Sequence, residues 1–412
     1  MNTSLSAIGV LACLLISTVS ANDKVIRIYH DSDYTSHSSS AQAMKMGFLT
    51  ALDEIDYKIG NYQLEFVEKD HRGNVVRSHR TMKQFVNDPS ALFILGGLHS
   101  PPYIKYRQYI NDNEILLLVP WAAGGPITRH PDSNNWVFRL SVDDTKAGLR
   151  ISDYAVNSKQ CKSPHLLLED TGWGKSNFKT ITNYFESSLS ITPEVTWFNW
   201  NTKDNAAKLI LREIAKSDSD CVIFVGNAIE GATFMTAMTE VEQFNLPVLS
   251  HWGITGGNFP QKLGPTTLSK LDLSFIQSCF SFVSSEESKF SQSVFARGQK
   301  LFPEALTDYR SLKSPTGYTH AYDLAKVAIQ AMQNITLSDD MAQNRQLLRE
   351  ELESLNTPVK GLIKTYQKPY STFSQSNLDA HEALGLSDLC MAKFTPDGVI
   401  EVMPNTSPKV PN

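Results

Sequence analysis

The chain has 412 residues, enough for two or three domains, with 41% apolar and 20% charged side chains, a composition typical of globular proteins. Lys and Arg total 38 against 43 Asp and Glu, a formal net charge of −5. That mild acidity argues against a nucleic-acid partner, which would show as a basic excess or stripe.

In chain order, Met1 to Ala21 holds no charged side chain, and Leu5 to Val19 forms an apolar stretch ending in Val19-Ser20-Ala21. The run is short for a membrane span, and small residues precede Asn22 at the positions signal peptidase reads. Residues 1–21 are therefore read as a cleaved secretory signal, which places the mature chain outside the cytoplasm. The n-region is atypical, with no Lys or Arg.

From Lys24, VIRIYH predicts a strand, and Ala41, Met44, Phe48, Ala51, Leu52 and Ile55 mark a helix by their spacing. YQLEFVEKD is a second strand, Val75 to Asn87 a helix, and ALFILGG a continuously apolar third strand. SPPYIKYRQYINDN carries a helix and EILLLVPW a fourth strand. After WVFRLSVDDTKAG the alternation begins again. HLLLED, TPEVTWFNW, CVIFVG and LPVLSHW are its strands, with helices at Lys175–Ser187, around Ala206–Ile214 and at Ile229–Gln243. LDLSFIQSCFSF adds a strand, Thr316–Gln333 and Met341–Leu355 two helices, and a strand pair flanks the turn at Pro396–Gly398. Strand–helix alternation with buried apolar strands implies parallel sheets. Two such units make two lobes. The late helices must pack on an existing lobe, so the chain crosses between lobes more than once.

Four cysteines follow the signal, Cys161, Cys221, Cys279 and Cys390, and permit two disulfides in three pairings. Cys161 and Cys221 each stand at or just before a strand start, so a bridge joins them if those strands are parallel neighbours, leaving Cys279 with Cys390. Buried free thiols are the alternative. No C-x-x-C pair or metal-spaced histidine points to zinc.

Ligands of such sheets sit beyond the carboxyl ends of the strands. Those ends carry Asp31, His99, Ser100, Trp121, Ala122 and Ala123 in the first unit, and Thr171, Trp173, Asn227, Ala228 and Trp252 in the second. Three tryptophans among them predict a pocket with aromatic walls. His30, His99 and His251 also fall at strand ends, where a catalytic or metal-binding trio could assemble; polar ligand contacts or satisfied surface histidines are the favoured reading. H-E-x-x-H, G-x-S-x-G and a G-x-G-x-x-G after the first strand are all missing from the sequence. Gly174-Lys175-Ser176 resembles the end of a phosphate loop, but Glu169 stands where the earlier glycine belongs. The expectation from these residues is no enzyme, no cofactor and no metal.

Six segments resemble the type I periplasmic solute-binding proteins, in their leucine/isoleucine/valine-binding branch. They are AQAMKMGFLTALDEID, YQLEFVEKDHRGN, LFILGGLHSPP, EILLLVPWAAGGPIT, WVFRLSVDDTKAG and LLLEDTGWGKS, in that order. The resemblance implies an α/β fold of two Rossmann-like lobes, each a parallel sheet with helices on both faces, joined by a multi-strand hinge. Lobe 1 would span residues 22–141 and about 285–385; lobe 2 would span 142–284 and about 386–412 with the hinge strands. It further implies a monomer that captures a small organic solute, an amino acid or related compound, and delivers it to the permease of an ABC transporter. The alternative is a sensory module serving a membrane kinase or chemoreceptor. Ser100 and the Trp121–Ala123 backbone match positions that hold a carboxylate in such proteins. Ala123 lacks the hydroxyl of the threonine common there, Trp252 replaces an acidic residue, and Ala228 falls near a tyrosine position. Trp252 would hold a cation by its face or wall an apolar pocket. These departures leave the solute class open.

Overall fold

The computed structural model describes residues 24–404, apart from 133, 243 and 284–287. The segment read as a signal lies outside the described residues. The first sheet contains β1 (Lys24–Ser32), β2 (Lys58–Ile59), β3 (Tyr62–Asp70), β4 (Ala91–Gly96), β5 (Leu117–Val119) and β6 (Val137–Arg139), in the order β2-β3-β1-β4-β5-β6. Every neighbouring pair is parallel except the β2–β3 hairpin. All six residues of β4 are buried, as a strand covered on both faces requires. Helices α1 (Ser38–Asp53), α2 (Val75–Val86), α3 (Pro101–Lys105) and α4 (Arg107–Asp112) cover it. Asn74 caps α2 by accepting from the backbone N–H groups of Val76 and Arg77.

After α5 (Asp144–Asn157), the second lobe runs β7 (Pro164–Glu169), α6 (Gly172–Leu189), β8 (Glu194–Phe198), α7 (Asp204–Lys216), β9 (Cys221–Val225), α8 (Ala228–Glu240), β10 (Val248–Ser250), α9 (Phe259–Leu268) and β11 (Leu273–Ser278). The chain then returns to the first lobe with α10 (Lys289–Leu301), α11 (Pro315–Asn334) and α12 (Met341–Ser354). There α11 packs along α1, and α12 packs on β4. The α1–α11 crossing is close: a Cβ on Gly47 would stand 2.1 Å from the Tyr318 carbonyl oxygen, so only glycine fits. A short hairpin, β12 (Val359–Lys360) and β13 (Thr365–Tyr366), precedes the last strands, β14 (Leu389–Phe394) and β15 (Ile400–Val402). These two join the second sheet, whose order is β15-β14-β11-β10-β9-β7-β8.

Three segments thus connect the lobes, after β6, after β11 and before β14. The sheets are parallel at their centres, but β2, β14 and β15 make antiparallel edges that the alternation alone did not predict. The one helix expected in SPPYIKYRQYINDN is two, parted at Tyr106, whose backbone leaves the helical region. Cys161 is bridged to Cys221 and Cys279 to Cys390. No helix among the described residues is long and apolar enough to cross a membrane.

Candidate functional site

The carboxyl ends of β4 and β5 face those of β7, β9 and β10 across the junction of the lobes. Between them lies a small, narrow cavity. The first lobe lines it with Leu98, His99, Ser100, Pro101, Trp121 and Ala123, the second with Glu169, Trp173, Asn227, Trp252 and Gly253. Trp121 and Trp252 are almost wholly buried, and no side chain of the wall apart from Pro101 is more than slightly exposed. The lobes therefore stand closed over this space. A larger hollow lies around Gln277, Phe282 and Tyr309, and an open groove runs along α6. Neither collects strand ends from both sheets, which is why the smaller cavity is the candidate site.

Each wall residue is held from behind. The Ser100 Oγ accepts from the Gly124 N–H at 3.0 Å, leaving its own hydroxyl proton free to turn toward the cavity. The indole N–H of Trp121 is buried without a partner. A buried donor left unpaired is costly. Trp173 donates to Asp144 Oδ1 at 3.0 Å; the same oxygen accepts from Asn177 at 2.7 Å and lies 3.4 Å from His251 Nε2. The other oxygen of Asp144 accepts from the Gly125 N–H at 3.2 Å. One buried carboxylate thus fixes an aromatic wall of the second lobe and a ligand loop of the first. The His251 ring stands edge-on to both Trp173 and Trp252. Gly253 is required by proximity, since a Cβ there would lie 2.5 Å from the Gly226 carbonyl oxygen and 2.8 Å from Trp173.

Glu169 is the ionisable group of the second-lobe wall. Its carboxylate accepts from the Thr171 hydroxyl at 2.9 Å and from Asn227 Nδ2 at 3.1 Å. Burial pushes its pKa up to about 7, against the pull of Trp200 and Thr171 and with a further push from Glu230. Near neutral pH this group can both accept and donate.

Of the residues singled out from the sequence, His99, Ser100, Trp121, Ala123, Trp173, Asn227 and Trp252 are brought together around the cavity. Asp31, Ala122, Thr171 and Ala228 are not among its walls. Asp31 is buried beneath the first-lobe loops, where Ser78 and Tyr103 donate to it. Ala122 turns its carbonyl back to Arg139 at 3.0 Å. Thr171 caps α6, and Ala228 opens α8 and packs into the second-lobe core. His30, His99 and His251 do not form a trio: His30 contacts the Tyr34 hydroxyl at 2.6 Å, and His251 sits behind Trp173 and Trp252. His99 instead approaches His37 and Asp33, a group with metal-ligating side chains. Glu169 and Gly253 stand at strand ends where ligands are expected but are not among the candidate site residues, and Asp144 lies away from those ends. A charged residue closing the apolar run LLLE, and an aspartate pair straight after the first crossing, were the available signals.

The family model described as periplasmic binding protein matches residues 31–371, most of the chain. The chain belongs to the periplasmic binding protein family. Solved structures of the same fold include the branched-chain amino acid transporter substrate-binding protein LivJ of Streptococcus pneumoniae in complex with isoleucine. It is 18% identical, with a TM-score of 0.73, covering 92% of this chain and 99% of that one. A solute-binding protein of an ABC transporter from R. palustris in complex with 4-hydroxybenzoate is 14% identical, with a TM-score of 0.75, covering 94% and 98%. A possible leucine/isoleucine/valine-binding protein from Rhodopirellula baltica is 15% identical, with a TM-score of 0.76 and the same coverage. Among curated proteins none matches the sequence. At these identities the periplasmic binding protein fold is what the structures share, two lobes over parallel-dominated sheets.

Proposed function

We propose that the chain is a periplasmic receptor that captures a small organic solute between its lobes and presents the closed form to an ABC permease, without chemical conversion of the solute. The supporting observation is the cavity itself, walled by strand-end residues of both lobes that are almost all buried. Three indoles suit an apolar or aromatic body, while the unpaired Trp121 N–H and the Ser100 hydroxyl suit an acceptor such as a carboxylate. Isoleucine and 4-hydroxybenzoate, the solutes bound by two proteins of the same fold, have this form. Contacts from both lobes exist only in the closed state, and that difference in affinity is what shifts the open–closed population.

The test is a thermal-shift screen of amino acids, benzoates, other carboxylates, amides and polyamines against the purified mature chain. A solute at 100 times its dissociation constant adds about 2.7 kcal/mol of stability. A carboxylate that raises Tm in the parent protein and loses most of that effect in Ser100→Ala supports the reading. Absence of a shift from every compound overturns it.

A further inference from the structure

Outward from His99, the cavity wall continues into side chains that solute capture does not require. Asp33 follows β1 and His37 immediately precedes α1, four residues apart in one loop, and His99 follows β4, so two loops of the first lobe deliver them to one point. His37 Nδ1 lies 3.1 Å from Asp33 Oδ2, and His99 Nε2 lies 3.2 Å from His37 Nδ1 and 3.5 Å from Asp33 Oδ2. The Asp33 and His99 side chains are 1% exposed and that of His37 12%.

Hydrogen bonding alone serves this triangle poorly. Each neutral imidazole carries one N–H, and here the facing nitrogens crowd one another as well as a single carboxylate oxygen. A cation at the centre would engage all three lone pairs together. With metal–ligand distances of about 2.0–2.2 Å, neighbouring ligand atoms stand about 3.0–3.5 Å apart in octahedral to tetrahedral geometry. The observed edges fall in that range. The rings also meet edge to face, at 85°, which points nitrogens inward instead of stacking them. Asp33 is oriented for the task. Its Oδ1 accepts from the Thr35 and Ser36 N–H groups at 3.1 and 2.7 Å, which leaves Oδ2 turned to the imidazoles.

We propose that Asp33, His37 and His99 form a binding site for a divalent first-row transition cation, with Zn²⁺ the ion best suited to two imidazoles and a carboxylate. Trp200 of the second lobe lies over His99, with ring centres 5.1 Å apart, so the closed lobes cover the site. His99 belongs to both this triangle and the solute cavity, which puts the ion at the first-lobe wall. The group of Cys161, Asp220 and Cys221 is no rival, because its sulfurs are joined in a disulfide.

The experiment uses the untagged mature chain, stripped with a chelator and titrated calorimetrically with Zn²⁺; no solute is needed, so its outcome is independent of the receptor reading. The expected result is one tight site per chain, weakened at least about 100-fold in His37→Ala, more than the loss typical of residues that only orient a ligand. His71→Ala removes a ring packed near His99 that offers no ligand atom to the triangle, and should change affinity only a few-fold. X-ray absorption of the Zn²⁺-loaded parent protein reads the ligands without any substitution. Scattering from two imidazoles supports the site. Lack of Zn²⁺ binding, binding indifferent to His37→Ala, or fewer than two imidazoles around the ion overturns it.

Discussion

Arg139 donates to both carboxylate oxygens of Glu382, at 2.6 and 3.0 Å, and neither side chain is more than 1% exposed. The pair joins the end of β6 to the segment returning toward β14, where the backbones also pair, Arg139 N–H to the His381 carbonyl and Ala383 N–H to the Arg139 carbonyl. The guanidinium reaches further, to the carbonyls of Ala122 and Gly124 at 3.0 Å each. It therefore sets the loop that presents Trp121 and Ala123 to the cavity. Arg139→Met would leave Glu382 buried without its counter-charge and free those two carbonyls. Urea unfolding should show a loss of about 3–5 kcal/mol, as for other broken buried pairs. A loss under about 1 kcal/mol would mean that water reaches the pair.

Glu169 makes stability depend on pH with a definite sign. Its folded pKa, about 7, lies above the ordinary value of 4.5, so the folded state holds the proton more tightly than the unfolded state. The contribution of this group is full below about pH 4.5 and is lost as pH rises toward 7. Glu169→Gln keeps the shape and removes the titration. The Tm of the parent protein relative to Glu169→Gln should fall across that window and stay level above it. A difference that is flat from pH 4.5 to 7 would show an exposed, ordinary carboxylate.

How much of this was legible in the sequence follows from where the signals are local. Strands such as Ala91–Gly96 and Cys221–Val225 are short, wholly buried runs, and they stand out by composition. Residues at their carboxyl ends are placed by chain direction alone, which is why three tryptophans far apart in sequence could be assigned to one pocket. Helix α9 escaped because Pro265 interrupts it and Gly264 turns to a positive φ of 71°. Helix α10 escaped because two of its buried positions are Ser291 and Gly298, so no apolar stripe forms. In the Asp33–His37–His99 triangle, Asp33 and His37 share one loop, but His99 lies 62 residues beyond His37 and only the fold brings it to them. Asp144 is similar: its partners Gly125, Trp173, Asn177 and His251 come from both lobes.

Gly253 tests the closeness of the second-lobe loops. An added Cβ would meet the Gly226 carbonyl oxygen and the Trp173 ring well inside contact distance, and backbone cannot yield as a flexible side chain can. Gly253→Ala should destabilise by about 1–3 kcal/mol, the usual range for overpacking. It should also weaken binding of any solute found by screening, because Trp173 is displaced from the wall. Unchanged Tm and affinity would place the Trp252–Gly253 loop outside the site.

The two disulfides should behave differently. Cys161 and Cys221 stand at the amino ends of neighbouring strands, β7 and β9, on the side of the sheet away from the cavity. Cys279 follows β11 where the chain leaves the second lobe, and Cys390 lies in β14 where it comes back, so this bridge fastens two of the three connections to each other. Replacing either pair with serine should cost about 2–5 kcal/mol, slightly more for Cys279–Cys390, whose loop is the longer at 111 residues against 60. The separation between them is functional. Without Cys161–Cys221, the Tm increment produced by a bound solute should match that of the parent protein, because the cavity walls and connections are untouched. Without Cys279–Cys390, the connections are released from each other, the open form gains population and the increment should shrink. Equal increments in both variants would show that the bridge near the connections has no part in closure.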